Sequence, residues 1–358
     1  MQENKTLKIG ITIGDMNGVG PEIILKTFAD KRMLEFCTPI IYSSIRALEF
    51  FKKHFKYNID FNDIKSSTQA EDNRVNVVNC WSETPQINFG TKDKNIGKHA
   101  VISLKAATSD LKQGHVDAIV TAPINKGCIQ SDEFNFPGHT EYLNNEIKGN
   151  ALMLMVSGNL RIGLLTGHIP VSKISESITE EVIENKVNTI HKTLVKDFNI
   201  SKPKIAILGI NPHSGDDGLI GSEEKTVLTP TIQRMRENNI LAFGPYSADS
   251  FFGSGKHEPF DAVIAAYHDQ GLIPFKTMSF GQGVNFTAGL ENQLDDITTG
   301  KEGWIKVLTE FWKDFNKNVS SVKEKRTREV LDLLNDSLGS LIFDRDSSGN
   351  INRQCKLC

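Results

Sequence analysis

Short apolar runs alternate along this chain with longer stretches whose apolar positions recur every three to four residues. LKIGITIG leads into PEIILKTFAD and TPIIYSS into IRALEFFKKHF, while VNVVNC is followed by GKHAVISLKAATSDLKQG and then VDAIVTAP. Compact apolar runs bounded by turn formers read as buried strands, and the amphipathic stretches read as helices lying over them. This order predicts βαβ units around a mostly parallel sheet. The same texture continues through the strand candidates ALMLMVS, LRIGLLTG, KIAILGI and DAVIAAY, with helices expected at about 177–198 and 222–238.

A chain of 358 residues is long for one compact core. Helix and strand breakers cluster in TAPINKG and FNFPGHT, which places a change of lobe there. The expected organisation is a first α/β lobe over residues 1–125 and a second over 126–290. Beyond residue 290 the chain becomes charged and helical in period, with no buried-strand pattern until LIFDR, so 291–358 reads as a helical tail. The sequence contains no internal repeat and no low-complexity segment.

Three strand candidates end in the same way. RIGLLTGH, KIAILGINPH and AVIAAYH each run into a loop with an early histidine, namely His168, His213 and His268. Loops beyond the carboxyl ends of parallel strands share one edge of the sheet, where ligands bind. Three imidazoles distant in sequence can therefore converge there, and three neutral imidazoles with one open position form a catalytic metal arrangement. A single histidine after a strand is usually a hydrogen-bonded loop residue, and it is the recurrence at three equivalent positions that brings the metal reading level with that one. Asp269 beside His268 reads as a group orienting an imidazole, as a metal ligand itself, or as a helix cap.

Other candidates carry weaker signals. FPGHTEYL puts His139 and Thr140 where a loop opens a helix, a place that favours anions, although Thr140 also suits a cap. GDMNGVGPEI has the glycines of a phosphate cradle but lacks the Walker lysine and the G-x-G-x-x-G register. Lys276 and Asn285 lie in and after KTMSFGQGVN, whose glycines allow close backbone approach to a ligand; a lysine there binds phosphate as a point charge or is simply solvated.

Composition narrows the class without naming a reaction. Hydrophobic residues make up 39% and charged residues 24%, and the formal net charge is -3, which gives no reason to expect nucleic acid or an acidic membrane as partner. Five scattered cysteines argue against a secreted disulfide framework, no apolar run reaches the roughly 18 residues of a membrane span, and the expected location is the cytoplasm.

Residues 1 to about 290 resemble the 4-hydroxythreonine-4-phosphate dehydrogenase (PdxA) family. The resemblance runs through GDMNGVGPE, VTAPINKG, FPGHTEYL, TGHIPV, NPHSGDDGLIGSEE, GPYSADSFF, YHDQGLIPFK and FGQGVNFTAGL. It implies a two-lobed α/β/α fold with mostly parallel sheets, similar to that of isocitrate and isopropylmalate dehydrogenases. It also implies that His168, His213 and His268 hold one divalent cation (Zn2+, Mg2+ or Co2+), and that His139, Thr140, Lys276 and Asn285 meet the substrate. NAD is the implied oxidant, with its contacting residues unassigned. The implied assembly is a homodimer with the active site at the subunit interface and a metal ligand from the partner chain. The implied reaction oxidises 4-phosphooxy-L-threonine to 2-amino-3-oxo-4-phosphooxybutanoate, which loses CO2 to give 3-amino-2-oxopropyl phosphate on the route to pyridoxal phosphate. His139 and Lys276 are the side chains considered for catalysis, and a metal-bound water is the other candidate for the proton. Threonate or erythronate 4-phosphate is the alternative substrate.

After GVNFTAGL the pattern departs from that family. Leu294 stands where a substrate-binding arginine is expected, and no Asp-His-Gly-Thr stretch follows. FTAGLENQLDDITTGKEGWIKVLTEFWKDF instead resembles the end of the catalytic core of bacterial type IA DNA topoisomerases, and CKLC at Cys355 and Cys358 resembles half of one of their zinc modules. The expectation is a fusion or chimera at the shared FTAGL, with a catalytically dead metal- and phosphate-binding protein as the alternative outcome.

Overall fold

The computed structural model describes residues 6–279 and 283–290. In the first lobe the elements are β1 (Lys8–Thr12), α1 (Gly20–Ala29), α2 (Met33–Phe36), β2 (Thr38–Ser43), α3 (Ile45–Phe55), β3 (Phe61–Ile64), β4 (Val75–Asn79), α4 (Lys94–Lys112) and β5 (Ala118–Thr121). The five strands run parallel in the order β3-β4-β2-β1-β5. Every residue of TPIIYS in β2 is buried, as befits a central strand covered by helices on both faces. The α3 helix begins where Ser44 accepts from the Ala47 N–H and ends at left-handed Lys56, a paired start and stop written locally in the chain.

Residues 122–148 connect the sheets and include α5 (His139–Glu146). The α5 side chains Tyr142 and Leu143 join Phe134 and Ile147 on Ala100 and Leu104 of α4, with Leu290 packed against the same cluster. The segment after residue 125 therefore bridges both lobes through its packing.

The second lobe contains β6 (Gly149–Ser157), β7 (Leu160–Leu164), α6 (Ile174–Ser177), α7 (Glu180–Lys196), β8 (Lys204–Leu208), α8 (Thr229–Glu237), β9 (Leu241–Tyr246), α9 (Ala248–Gly253), β10 (Ala262–Ala265), α10 (His268–Ser279) and β11 (Val284–Leu290). The sheet order is β11-β6-β7-β10-β8-β9. The strands from β7 to β9 are parallel, while β6 runs antiparallel to both of its neighbours, β7 and the edge strand β11. The architecture is thus mixed α/β with mostly parallel sheets. The expected helical tail, with Leu294 and the CKLC cysteines, lies outside the described residues.

Candidate active site

Hydrogen bonds lace the carboxyl ends of β7, β10, β8 and β9 together. Leu165 N–H donates to the Ala265 carbonyl at 2.9 Å, and the Thr166 hydroxyl donates to the Ala266 carbonyl at 2.7 Å. Ala266 N–H donates to Gln270 Oε1 at 2.6 Å, while Gln270 Nε2 donates to the Gly209 carbonyl at 2.7 Å. Gly209 N–H in turn reaches the Tyr246 carbonyl at 2.8 Å. His168 follows Thr166 by two residues, His268 follows Ala266 by two, and His213 follows Gly209 by four.

Neighbouring strands stand about 4.8 Å apart, and β7 and β10 are neighbours. Accordingly the His168 and His268 rings lie with centroids 5.2 Å apart, tilted by 41°. His268 Nδ1 lies 2.7 Å from Asp269 Oδ1. An ionised carboxylate only accepts, so Nδ1 is the donor and Nε2 keeps its lone pair for a ligand. Asp269 thus orients the imidazole, one of the three roles open to it in the sequence.

His213 sits in a loop of unusual conformation. His213, Ser214, Gly215, Asp216 and Asp217 all have positive φ, between 45° and 80°, so the backbone makes one left-handed turn. A non-glycine residue in that region costs about 1–3 kcal/mol and persists only where its surroundings over-determine it. The buried carboxylate of Glu224 does so here: Oε1 accepts from the Ile210 and Asn211 N–H groups, both at 2.7 Å, and Oε2 accepts from Asn211 Nδ2 at 2.9 Å. Across the loop, Asp249 is held below the usual carboxylate range, first by the Ser247 hydroxyl and less strongly by the Ser250 N–H and the His213 ring.

Two of the three predicted histidines are therefore in ring contact, and the third is fixed on a loop two strands from β7. Among the described residues no three His, Cys, Asp or Glu side chains form a complete metal-ligand group within the single chain. The donor chemistry still fits a divalent cation, since His168 and His268 present neighbouring imidazoles and a carboxylate directs one of them.

The predicted substrate residues are spread over other elements. His139 is the first residue of α5, and Gly138, not Thr140, is the cap. The buried His139 Nε2 has no hydrogen-bond partner among the described residues. Burial, aided by the Lys126 charge, pushes its pKa down to about 4, so the ring is neutral at neutral pH. Lys276 lies exposed in the last turn of α10, a helical position in place of the expected glycine loop. Asn285 is exposed on β11, opposite Met155 of β6.

The glycine-rich loop after β1 is a packing element. Met16 and Asn17 fill it with buried side chains, and the Asn17 amide reaches Thr91 and the Asn88 N–H. At left-handed Gly14 a Cβ would come within 2.4 Å of the Pro123 carbonyl. Glycine is required there to seat the loop on the end of β5.

Sequence reasoning missed Gln270 and Glu224 as site-building residues. Both lie within quoted motifs, YHDQG and GSEE, but an exposed reading of such polar runs hides that their side chains bond backbone.

The chain matches the family described as "Pyridoxal phosphate biosynthetic protein PdxA" over residues 35–294. It belongs to the PdxA family. A 4-hydroxythreonine-4-phosphate dehydrogenase from Bacteroides thetaiotaomicron is 47% identical over 292 residues, 81% of this chain and 80% of that protein. A relative from Oceanobacillus iheyensis, named for D-threonate 4-phosphate, is 33% identical, covering 79% of this chain and 86% of its own length. The crystal structure of a 4-hydroxythreonine-4-phosphate dehydrogenase from Burkholderia phymatum superposes with a TM-score of 0.71 at 29% identity, covering 87% of this chain and 99% of that one. These PdxA relatives are oxidoreductases.

Proposed function

We propose that this chain catalyses the NAD-dependent, divalent-metal-dependent oxidation of 4-phosphooxy-L-threonine to 2-amino-3-oxo-4-phosphooxybutanoate, the β-keto acid that decarboxylates to 3-amino-2-oxopropyl phosphate. The observation that carries this reading is the pairing of His168 and His268 at the carboxyl edge of the second sheet, with His213 on the loop that follows the next strand, β8. When bound, the cation supplies Lewis-acid stabilisation of negative charge and NAD supplies the hydride acceptor.

The chain's own groups have separable tasks in this reading. His168, His213 and His268 hold the cation, and Asp269 fixes the tautomer of His268. Neutral His139 offers its unpartnered Nε2 to the substrate, and Thr140 lies beside it. With a pKa near 4 in the free protein His139 is a weak base, so its role is to bind and orient. An anionic substrate group beside it would bring the countercharge that burial withholds. Lys276 and Asn285 supply a point charge and an amide for phosphate or carboxylate.

A homodimer would complete the metal-ligand set. Five of the nine exposed large hydrophobic residues among the described ones, Ile169, Val171, Leu219, Ile220 and Ile273, follow His168, His213 or His268 within seven positions. Val171 is 78% and Leu219 84% exposed. Apolar side chains concentrated around a ligand-incomplete site favour burial against a second copy of this chain.

The test is NADH formation from 4-phosphooxy-L-threonine, with D-threonate 4-phosphate in parallel, after chelation and on return of Zn2+, Mg2+ or Co2+. Metal-dependent turnover of the threonine compound is expected. Preference for the threonate would transfer the reading to that substrate, and metal binding without NADH would make the chain a dead binder.

A further inference from the structure

The left-handed turn at His213 is held by a continuous chain of side-chain bonds. Glu224, 4% exposed, receives three N–H bonds from Ile210 and Asn211, and no cation pairs with it among the described residues. Asn211 Nδ2 also donates to Glu223 at 2.8 Å, and Glu223 accepts from the Ser175 hydroxyl of α6, in the segment that follows His168. The surrounding glycines leave no room for a looser fit: a Cβ at Gly215 would stand 2.7 Å from Glu224 Oε2, and one at Gly221 would stand 2.2 Å from Asn211 Nδ2. Four non-glycine residues of this loop are left-handed, a conformation that persists only where the surroundings over-determine it. Both oxygens of this buried carboxylate are thus engaged by backbone and amide donors, as befits a structural group.

We infer that Glu224, with Asn211 and Glu223, is a positioning clamp that keeps the His213 loop wound and ties it to the His168 loop through Ser175. What His213 does rests on the metal reading above; that the clamp winds the loop does not.

Glu224→Gln keeps the side-chain volume but removes the charge and turns one acceptor into a donor facing donors. The first readout is amide hydrogen exchange of chelator-treated protein, without any metal. Residues 210–220 should exchange at least about tenfold faster in the variant, with α7 unchanged, as local opening predicts. The second readout is Co2+ affinity by calorimetry, expected to fall roughly 10–100-fold, as for other groups that orient a metal ligand. Unchanged exchange at 210–220 would overturn the clamp, and faster exchange with unchanged Co2+ affinity would overturn its role in positioning His213. Wild-type protein that binds no Co2+ would sink the metal reading instead, leaving exchange to decide the clamp. Should Glu224→Gln fail to fold, Glu223→Gln at the surface end of the net takes the same two readouts, with faster exchange expected at 175–178 and 211–220 and an unchanged pattern counting against the proposal.

Discussion

Gln270 donates to the carbonyl of Gly209 at 2.7 Å from an amide whose oxygen accepts the Ala266 N–H at 2.6 Å. One side chain thus joins the strand end that leads to His213 with the one that leads to His268. Gln270→Leu keeps the bulk and leaves a backbone donor and a backbone acceptor unpaired. The expected cost is about 1–3 kcal/mol, read as a lower unfolding temperature by calorimetry, with weaker metal binding alongside. An unfolding temperature equal to wild type would show that water replaces the amide.

Acid should weaken the fold through His139. Its pKa lies at 6.5 unfolded and is pushed down to about 4 in the fold, by burial first and then by Lys126. The folded state therefore favours the neutral ring. The associated stability is complete above pH 6.5 and is lost as pH falls toward 4, a span worth about 3 kcal/mol. His139→Asn should flatten the dependence of unfolding free energy on pH in that window, measured by urea titrations. A slope identical to wild type would place the ring in solvent.

Replacing His168, His213 or His268 singly by alanine should each reduce divalent-metal affinity by at least the roughly 10–100-fold seen for groups that merely orient a ligand. Calorimetric titration with Zn2+ or Co2+ measures it. Any histidine whose removal leaves affinity intact is not a ligand.

Gly271 packs α10 against the second sheet. A Cβ there would meet Leu164 at 2.9 Å and both Ala265 and Ile162 at 3.0 Å. Gly271→Ala should cost about 1–3 kcal/mol by overpacking and shift the helix that begins at His268. Lowered thermal stability together with a raised KM is expected, the latter because Lys276 rides on the same helix.

Leu219→Glu adds a charge to the most exposed apolar side chain near the histidines. Light scattering should find wild type dimeric and the variant shifted toward monomer, with activity lost in proportion. A monomeric wild type that turns over substrate would remove the second copy from the site.

The central parallel strands were readable because burial on both faces makes them continuous apolar runs, as in KIGIT and KIAIL. β3 escaped because FNDI carries two polar residues at a sheet edge, and β9 because LAFGPY contains Gly-Pro. α10 was hidden by Gly271 and Pro274, both poor in isolated helices, which packing on β7 and β10 overrides. Among site residues, the histidines announced themselves by following strands. Glu224 did not, because an acidic pair on a helical stretch reads as solvated surface until the fold turns one carboxylate inward.

The strand order β7-β10-β8 makes the sheet edge a ruler. The spacing between His168 and His268 is set by the width of one strand pair and is indifferent to the hundred residues of chain that separate them in sequence. Insertions in those connections, on α7 or beyond α8, leave the spacing intact. A slip of one residue in β10 would move His268 by about 3.3 Å and turn its strand's side chains to the opposite face. The pairing of these two imidazoles is thereby protected against most changes in loop length and exposed to very small ones in strand alignment.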